Sequence, residues 1–189
     1  MHLPGFTIQL PPWVGNFIGD SPLMFQSVEE RMRFVIRLAR HNVERRTGGP
    51  FGAGVFDREG RLVAPGVNIV MSSNCSVLHA EIVALVLAQS KLGSYDIGDG
   101  GKDYYELVTS TEPCAMCLGA IPWSGVSGLI CGARDEDARN IGFDEGPKRQ
   151  DWILTLQERG IQVIRDVLRE EAASVLQYYA ETGGLIYNT

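Results

Sequence analysis

The sequence predicts an α/β protein, a three-layer α/β/α sandwich over a central mixed five-stranded sheet. Three observations predict it. Helical and strand patterns alternate over most of the chain, which places helices on both faces of one sheet. The first two strands are joined by the turn Asp57-Arg58-Glu59-Gly60, so they pair as an antiparallel hairpin, while later strands are separated by helices. Two segments, residues 79–89 and 114–123, are rich in apolar residues and read as buried helices.

Taken in order, residues 1–26 read as an irregular extension, because Pro4, Pro11, Pro12 and Pro22 interrupt it. From Ser27 to Arg46 the apolar positions Val28, Met32, Val35, Ile36, Ala39 and Val43 recur at helical spacing, and Gly48-Gly49-Pro50 stops that helix. Strands follow at 51–56 and 62–70, then the helix 79–89, a strand at 107–110, the helix 114–123 and a strand at 128–133. A short helix at 135–141 leads into the polar loop 142–147. A helix at 152–159, a strand at 161–163 and a last helix at 170–180 complete the body. No repeat or linker divides residues 27–189, so they are expected to form one domain.

At 189 residues, 44% hydrophobic and 21% charged, the chain is long enough to bury a real core. No apolar run approaches the ~20 residues that span a bilayer, and residues 1–27 lack the pattern of a secretory signal, so a cytoplasmic setting is expected. The net charge of -6 argues against a nucleic-acid backbone as partner, since that affinity rests on clustered Lys and Arg. Arg31, Arg33, Arg37, Arg40, Arg45 and Arg46 are concentrated on the first helix, where they read as its solvated face.

Metal-binding residue types are few: Cys75, Cys114, Cys117 and Cys131, with His2, His41 and His79. Pro113-Cys114-Ala115-Met116-Cys117 follows a strand and opens a helix, so both cysteines share one helical face. The partial positive charge of a helix N-terminus favours thiolate, the form that ligates zinc. Alone, this pattern also describes a redox pair. His79-Ala80-Glu81 opens another helix, and alone it says little.

In this order, His-x-Glu and then Pro-Cys-x-x-Cys about thirty residues later, the two form the signature of zinc nucleobase deaminases. His79, Cys114 and Cys117 would hold Zn2+ and leave a fourth position for water, with Glu81 moving protons. A competing arrangement adds Cys75 to these ligands as a closed structural site, which leaves Glu81 without a purpose. Cys131 reads as a small buried hydrophobe; His2 and His41 have no partner motif.

The chain resembles the cytidine deaminase superfamily, in the style of its guanine deaminase branch. The resemblance rests on Pro50-Phe51-Gly52-Ala53, Asn68, His79-Ala80-Glu81 and Thr111-Glu112-Pro113-Cys114-Ala115-Met116-Cys117, continuing to Val126. Ile141-Gly142-Phe143-Asp144-Glu145-Gly146-Pro147 looks like the acidic loop of the guanine branch. The resemblance implies conversion of guanine to xanthine and ammonia, with Glu145 as a second catalytic acid. It further implies that Asn68 and the N–H of Ala80 meet the base, that Phe51 and Phe143 pack on the ring, and that Tyr187 covers it.

It also implies a homodimer, in which the tail Leu185-Ile186-Tyr187-Asn188 closes its own or the partner's site. Helices 79–89 and 114–123 would supply the interface, with the N-terminal extension lying along it. The sequence does not separate guanine from s-triazines such as ammeline. A tRNA adenosine deaminase fits residues 114–126 but neither the acidic balance nor the loop 142–147. A catalytically silent zinc-stabilised interaction module would have no use for Glu81.

Overall fold

The hairpin of β1 (Gly52–Asp57) and β2 (Leu62–Val67) is antiparallel, with Gly52 opposite Val67. On its other side β1 pairs antiparallel with β3 (Tyr105–Thr111), which pairs parallel with β4 (Gly128–Ala133); β4 in turn pairs parallel with β5 (Gln162–Ile164). The result is the predicted mixed five-stranded sheet, in the order β2-β1-β3-β4-β5. The structure, a computed structural model, describes residues 5–21 and 23–187. His2, Pro4, Pro22 and Asn188 lie outside the described residues.

One face of the sheet is covered by α2 (Val28–Glu44) and α7 (Arg169–Glu181). Ser27 caps α2 by accepting from the Glu30 N–H at 3.1 Å, and the Glu30 carboxylate accepts from the Gln26 N–H in return. Met32, Val35, Ile36, Ala39 and Val43 are buried as predicted, joined by Phe34 and Leu38. Each large side chain removed from water here contributes about 1.5–3 kcal/mol. The other face carries α3 (Ala80–Leu92), which packs on β1 and β2 and against α4 (Ala115–Ser124). Two shorter helices, α5 (Asp135–Asn140) and α6 (Trp152–Gln157), flank β4 and β5 in sequence.

The start of α3 lies directly on β2 because position 66 is glycine. A Cβ there would collide with the carbonyl oxygen of Ala80. That close approach seats the first turn of α3, and with it His79 and Glu81, against the sheet.

Most element ends shift by one to three residues from the sequence reading, and two differences have a specific cause. The strand expected to reach Val70 ends at Val67, because the Asn68 side-chain oxygen accepts the Val70 N–H at 3.3 Å and turns the chain away. The extension read as irregular contains a helix, α1 (Pro12–Gly19). Proline is tolerated at the first helical position, so Pro12 starts this helix rather than breaking it. Trp13, Val14 and Phe17 bury their side chains, with Phe17 5.4 Å from Phe34 and Trp13 5.8 Å from His41 between ring centroids. Three arginines of α2 and its C-terminal cap stack on aromatic rings: Arg37 on Phe17, Arg40 on Tyr178 and the capping residue Arg45 on Trp13. They are packing elements of an amphipathic face.

Candidate active site

His79 and Cys114 occupy the same structural position on different helices. Each is the extended residue that precedes a first turn, His79 before α3 and Cys114 before α4. The strands that lead to these helices, β2 and β3, flank β1 on either side, so both helix N-termini converge. Cys117 follows in the first turn of α4 and is fully buried. The ligand atoms of His79, Cys114 and Cys117 lie within 4.8 Å of one another, the one such group found among the described residues. Cys75 is not part of it; it is half-buried and packs against the core. The closed four-ligand alternative is therefore not assembled.

The electrostatics suit a cation. Cys117 hydrogen-bonds Cys114, which holds Cys114 down to about 4 against the cost of burial and pushes Cys117 far up. A divalent cation between these sulfurs would take the place of the proton that couples them. Burial alone would lower His79, but its contact with Cys114 and the charges of Glu81, Cys114 and Glu145 outweigh this and raise it. Two sulfurs and an imidazole match the donor set of a zinc site that keeps one position open.

Glu81, in the first turn of α3, is 6% exposed, and burial followed by the nearby Cys114 raises its carboxyl to about 7. Glu145 is equally buried, and the same causes, with Glu81 added, raise it to about 8. Its neighbour Asp144 keeps a side chain that is 60% exposed. One acid of the pair thus turns inward while the other is solvated. The loop is fixed by the Ala115 N–H, which donates to the Glu145 carbonyl at 2.9 Å, and by Arg139, which donates to the Gly146 carbonyl at 2.9 Å.

A narrow cavity is lined by Phe51, His79, Glu81, Glu112, Cys114, Phe143, Asp144, Glu145 and Tyr187. Phe51 and Phe143 meet edge to face at 5.0 Å, and Phe143 meets Tyr187 at 5.1 Å. The tail lies over the site of its own chain, held where Tyr179 Oη donates to the Leu185 carbonyl at 2.7 Å. Asn68 is 1% exposed, and its Nδ2 has no hydrogen-bond partner among the described residues. Ala80 is fully buried at the first position of α3.

Glu112 was given no role by the sequence reading. It is 3% exposed, accepts from Arg165 Nε at 2.5 Å and from the Asp135 N–H at 3.1 Å, and faces Lys148 at 3.8 Å. A carboxylate immediately before Pro-Cys at the end of a strand was the signal available for it.

Helix N-termini that aim a His-Cys-Cys group and a buried carboxyl into one small cavity belong to the zinc-dependent deaminases, a class of hydrolytic enzyme. Within that class the chain belongs to the family defined by the cytidine and deoxycytidylate deaminase zinc-binding region, which its residues 26–133 match. It is 36% identical over 142 residues to the guanine deaminase of Bacillus subtilis (strain 168), a match that covers 75% of this chain and 87% of that protein. A tRNA-specific adenosine deaminase from Buchnera aphidicola is 28% identical over 130 residues, 69% of this chain and 79% of that protein. The solved guanine deaminase from Nitrosomonas europaea superposes with a TM-score of 0.88 at 44% identity, covering 96% of this chain and all of that one (100%). NE0047 in complex with 2,6-diaminopurine gives 0.88 at 46% identity, covering 96% of each chain.

Proposed function

We propose that this protein hydrolyses guanine to xanthine and ammonia, with Zn2+ held by His79, Cys114 and Cys117. The observation that carries this reading is the pair of buried carboxyls, Glu81 and Glu145, lining the cavity that His79 and Cys114 also line. A guanine deaminase covers this chain at high structural similarity, which supports the same substrate here.

Zinc in this site would bring the pKa of a bound water toward neutrality. Glu81, buried in the cavity that His79 and Cys114 line, is placed to accept one proton from the attacking water and to pass it to a ring nitrogen beside C2 as the water oxygen adds to C2. Glu145, whose burial favours the protonated carboxyl, delivers a proton to the departing amine and recovers one from the new C2 hydroxyl as the carbonyl forms. The products are xanthine and ammonia, and both acids return to their starting states. Asn68 Nδ2 and the Ala80 N–H donate to acceptors on the base, Phe51 and Phe143 flank the ring, and Tyr187 covers it.

The same reading includes a homodimer with each tail on its own subunit. Exposed apolar side chains on the outer faces of α3 and α4, Val86, Met116 and Trp123, support an interface there. Four free cysteines suit a reducing, cytoplasmic compartment. Among the described residues no helix is long and apolar enough to cross a membrane.

The test is ammonia release by the zinc-loaded protein from guanine, ammeline, cytosine, cytidine, adenine and a tRNA anticodon stem. Release from guanine is expected. Release from cytidine or from the stem, with guanine inert, overturns the substrate assignment and leaves the zinc chemistry intact.

A further inference from the structure

The N-terminal helix is connected to the base-binding side of the site by an unbroken chain of hydrogen bonds. Trp13 Nε1 donates to Thr47 Oγ1 at 3.0 Å, and Thr47 Oγ1 donates in turn to Asn42 Oδ1 at 2.7 Å. Asn42 is fully buried on α2, and its Nδ2 spends both hydrogens on main-chain carbonyls: Gly49 at 2.9 Å and Asn68 at 2.8 Å. Every donor points the same way along this path, so each bond polarises the next.

The carbonyl held by Asn42 belongs to the residue whose own side-chain Nδ2 is buried and unpartnered among the described residues. Asn68 is thus gripped on its main chain and through Oδ1, while Nδ2 alone is left to donate. The loop between Asn42 and Pro50 is packed to match. A Cβ at Gly48 would collide with the Asn68 carbonyl, and one at Gly49 would collide with the Tyr187 hydroxyl. Little slack remains for Asn68 to move independently of this loop.

We propose that Asn42 is a positioning residue for the substrate, and that Trp13, acting through Thr47, holds it in register. The N-terminal helix then serves to fix the donor that reads the base, besides burying its own apolar face. This inference rests on the reading of Asn68 as a base contact. A misaligned Asn68 weakens binding of the purine more than the chemical step, because neither the metal ligands nor the acids belong to this chain of bonds.

The experiment uses Thr47→Val, which keeps the shape and removes the hydroxyl, Thr47→Ser, which keeps the hydroxyl, and Trp13→Phe, which keeps a ring and removes the donor. Each is measured for guanine turnover and for the dissociation constant of 8-azaguanine, alone and with Asn68→Ala. Thr47→Val and Trp13→Phe are expected to raise KM and the dissociation constant at least about fivefold, with kcat within about twofold. Thr47→Ser restores the wild-type values, and the effect of Thr47→Val disappears when Asn68 is already alanine.

Unchanged binding in both Thr47→Val and Trp13→Phe overturns the proposal, as does an equal Thr47→Val effect with and without the Asn68 side chain. If Asn68→Ala alone leaves binding intact, the base-contact reading fails and this inference falls with it. That result is distinguishable, because it appears in the single variant.

Discussion

The Sγ atom of Cys114 lies 3.5 Å from Nδ1 of His79, although 35 residues separate the two in sequence. Both residues are held by the ends of packed helices rather than by loops, so the distance is set by how α3 and α4 pack against each other, with α3 on the sheet. A metal placed there inherits the rigidity of the core.

Removing the metal therefore tests the helices as well as the chemistry. Chelation is expected to abolish turnover and to lower Tm, because an ion bound only by the folded state stabilises it. Cys117→Ala should cut bound zinc at least about tenfold by elemental analysis. Cys75→Ala should retain zinc and activity. Loss of zinc in that variant would revive the four-ligand structural site.

The two buried acids are expected to fail differently. Glu81→Gln should bind zinc normally and lose about a thousandfold in kcat on guanine, since the proton that moves from the water to the ring passes through it. Glu145→Gln should lose about a hundredfold, because the amine then leaves without its donor. Full activity in Glu145→Gln would return that side chain to a structural role in its loop.

Both metal-binding segments were legible as a motif because their chemistry depends on residue type and spacing at helix N-termini, which are local properties. The five strands were legible for the same reason: alternating and apolar runs bounded by turns. What was not legible depends on distant partners. Pro12 marks both a break and a helix start, and only the α2 surface that receives Trp13 and Phe17 decides between them. Glu112 is marked in the sequence by its place before Pro113-Cys114, but its partner Arg165 comes 53 positions later, which no local pattern shows. Only the family resemblance singles out Glu145 over Asp144 in the sequence; in the fold, Glu145 is the buried one, and its carbonyl accepts from the Ala115 N–H.

Acid stability should report the cluster around α5. Asp137 accepts from Arg169 Nε at 2.9 Å and from the Arg134 N–H at 2.8 Å, and these contacts, the Arg169 bonds first, hold its carboxyl below the ordinary value. A depressed folded pKa contributes stability that is present above the unfolded value of about 3.9 and is lost as pH falls through the folded value. Arg169→Met should thus lower Tm near pH 7, with the difference from the parent shrinking below pH 4. A difference that is constant with pH would assign the effect to packing of the Arg169 stem.

The last expectation concerns glycine 66, which has no chemistry of its own. A methyl group there meets the Ala80 carbonyl and the start of α3, both backbone, so neither can swing aside as a flexible side chain would. Gly66→Ala must then lift the first turn of α3 off β2, at a cost of about 2 kcal/mol for overpacking. The displaced turn carries His79 and Glu81, so zinc affinity and kcat should fall together with Tm. A variant of ordinary stability with intact zinc binding would show that this contact does not set the position of His79. Weakened zinc binding without loss of Tm would show that the helix can shift at little cost to the core.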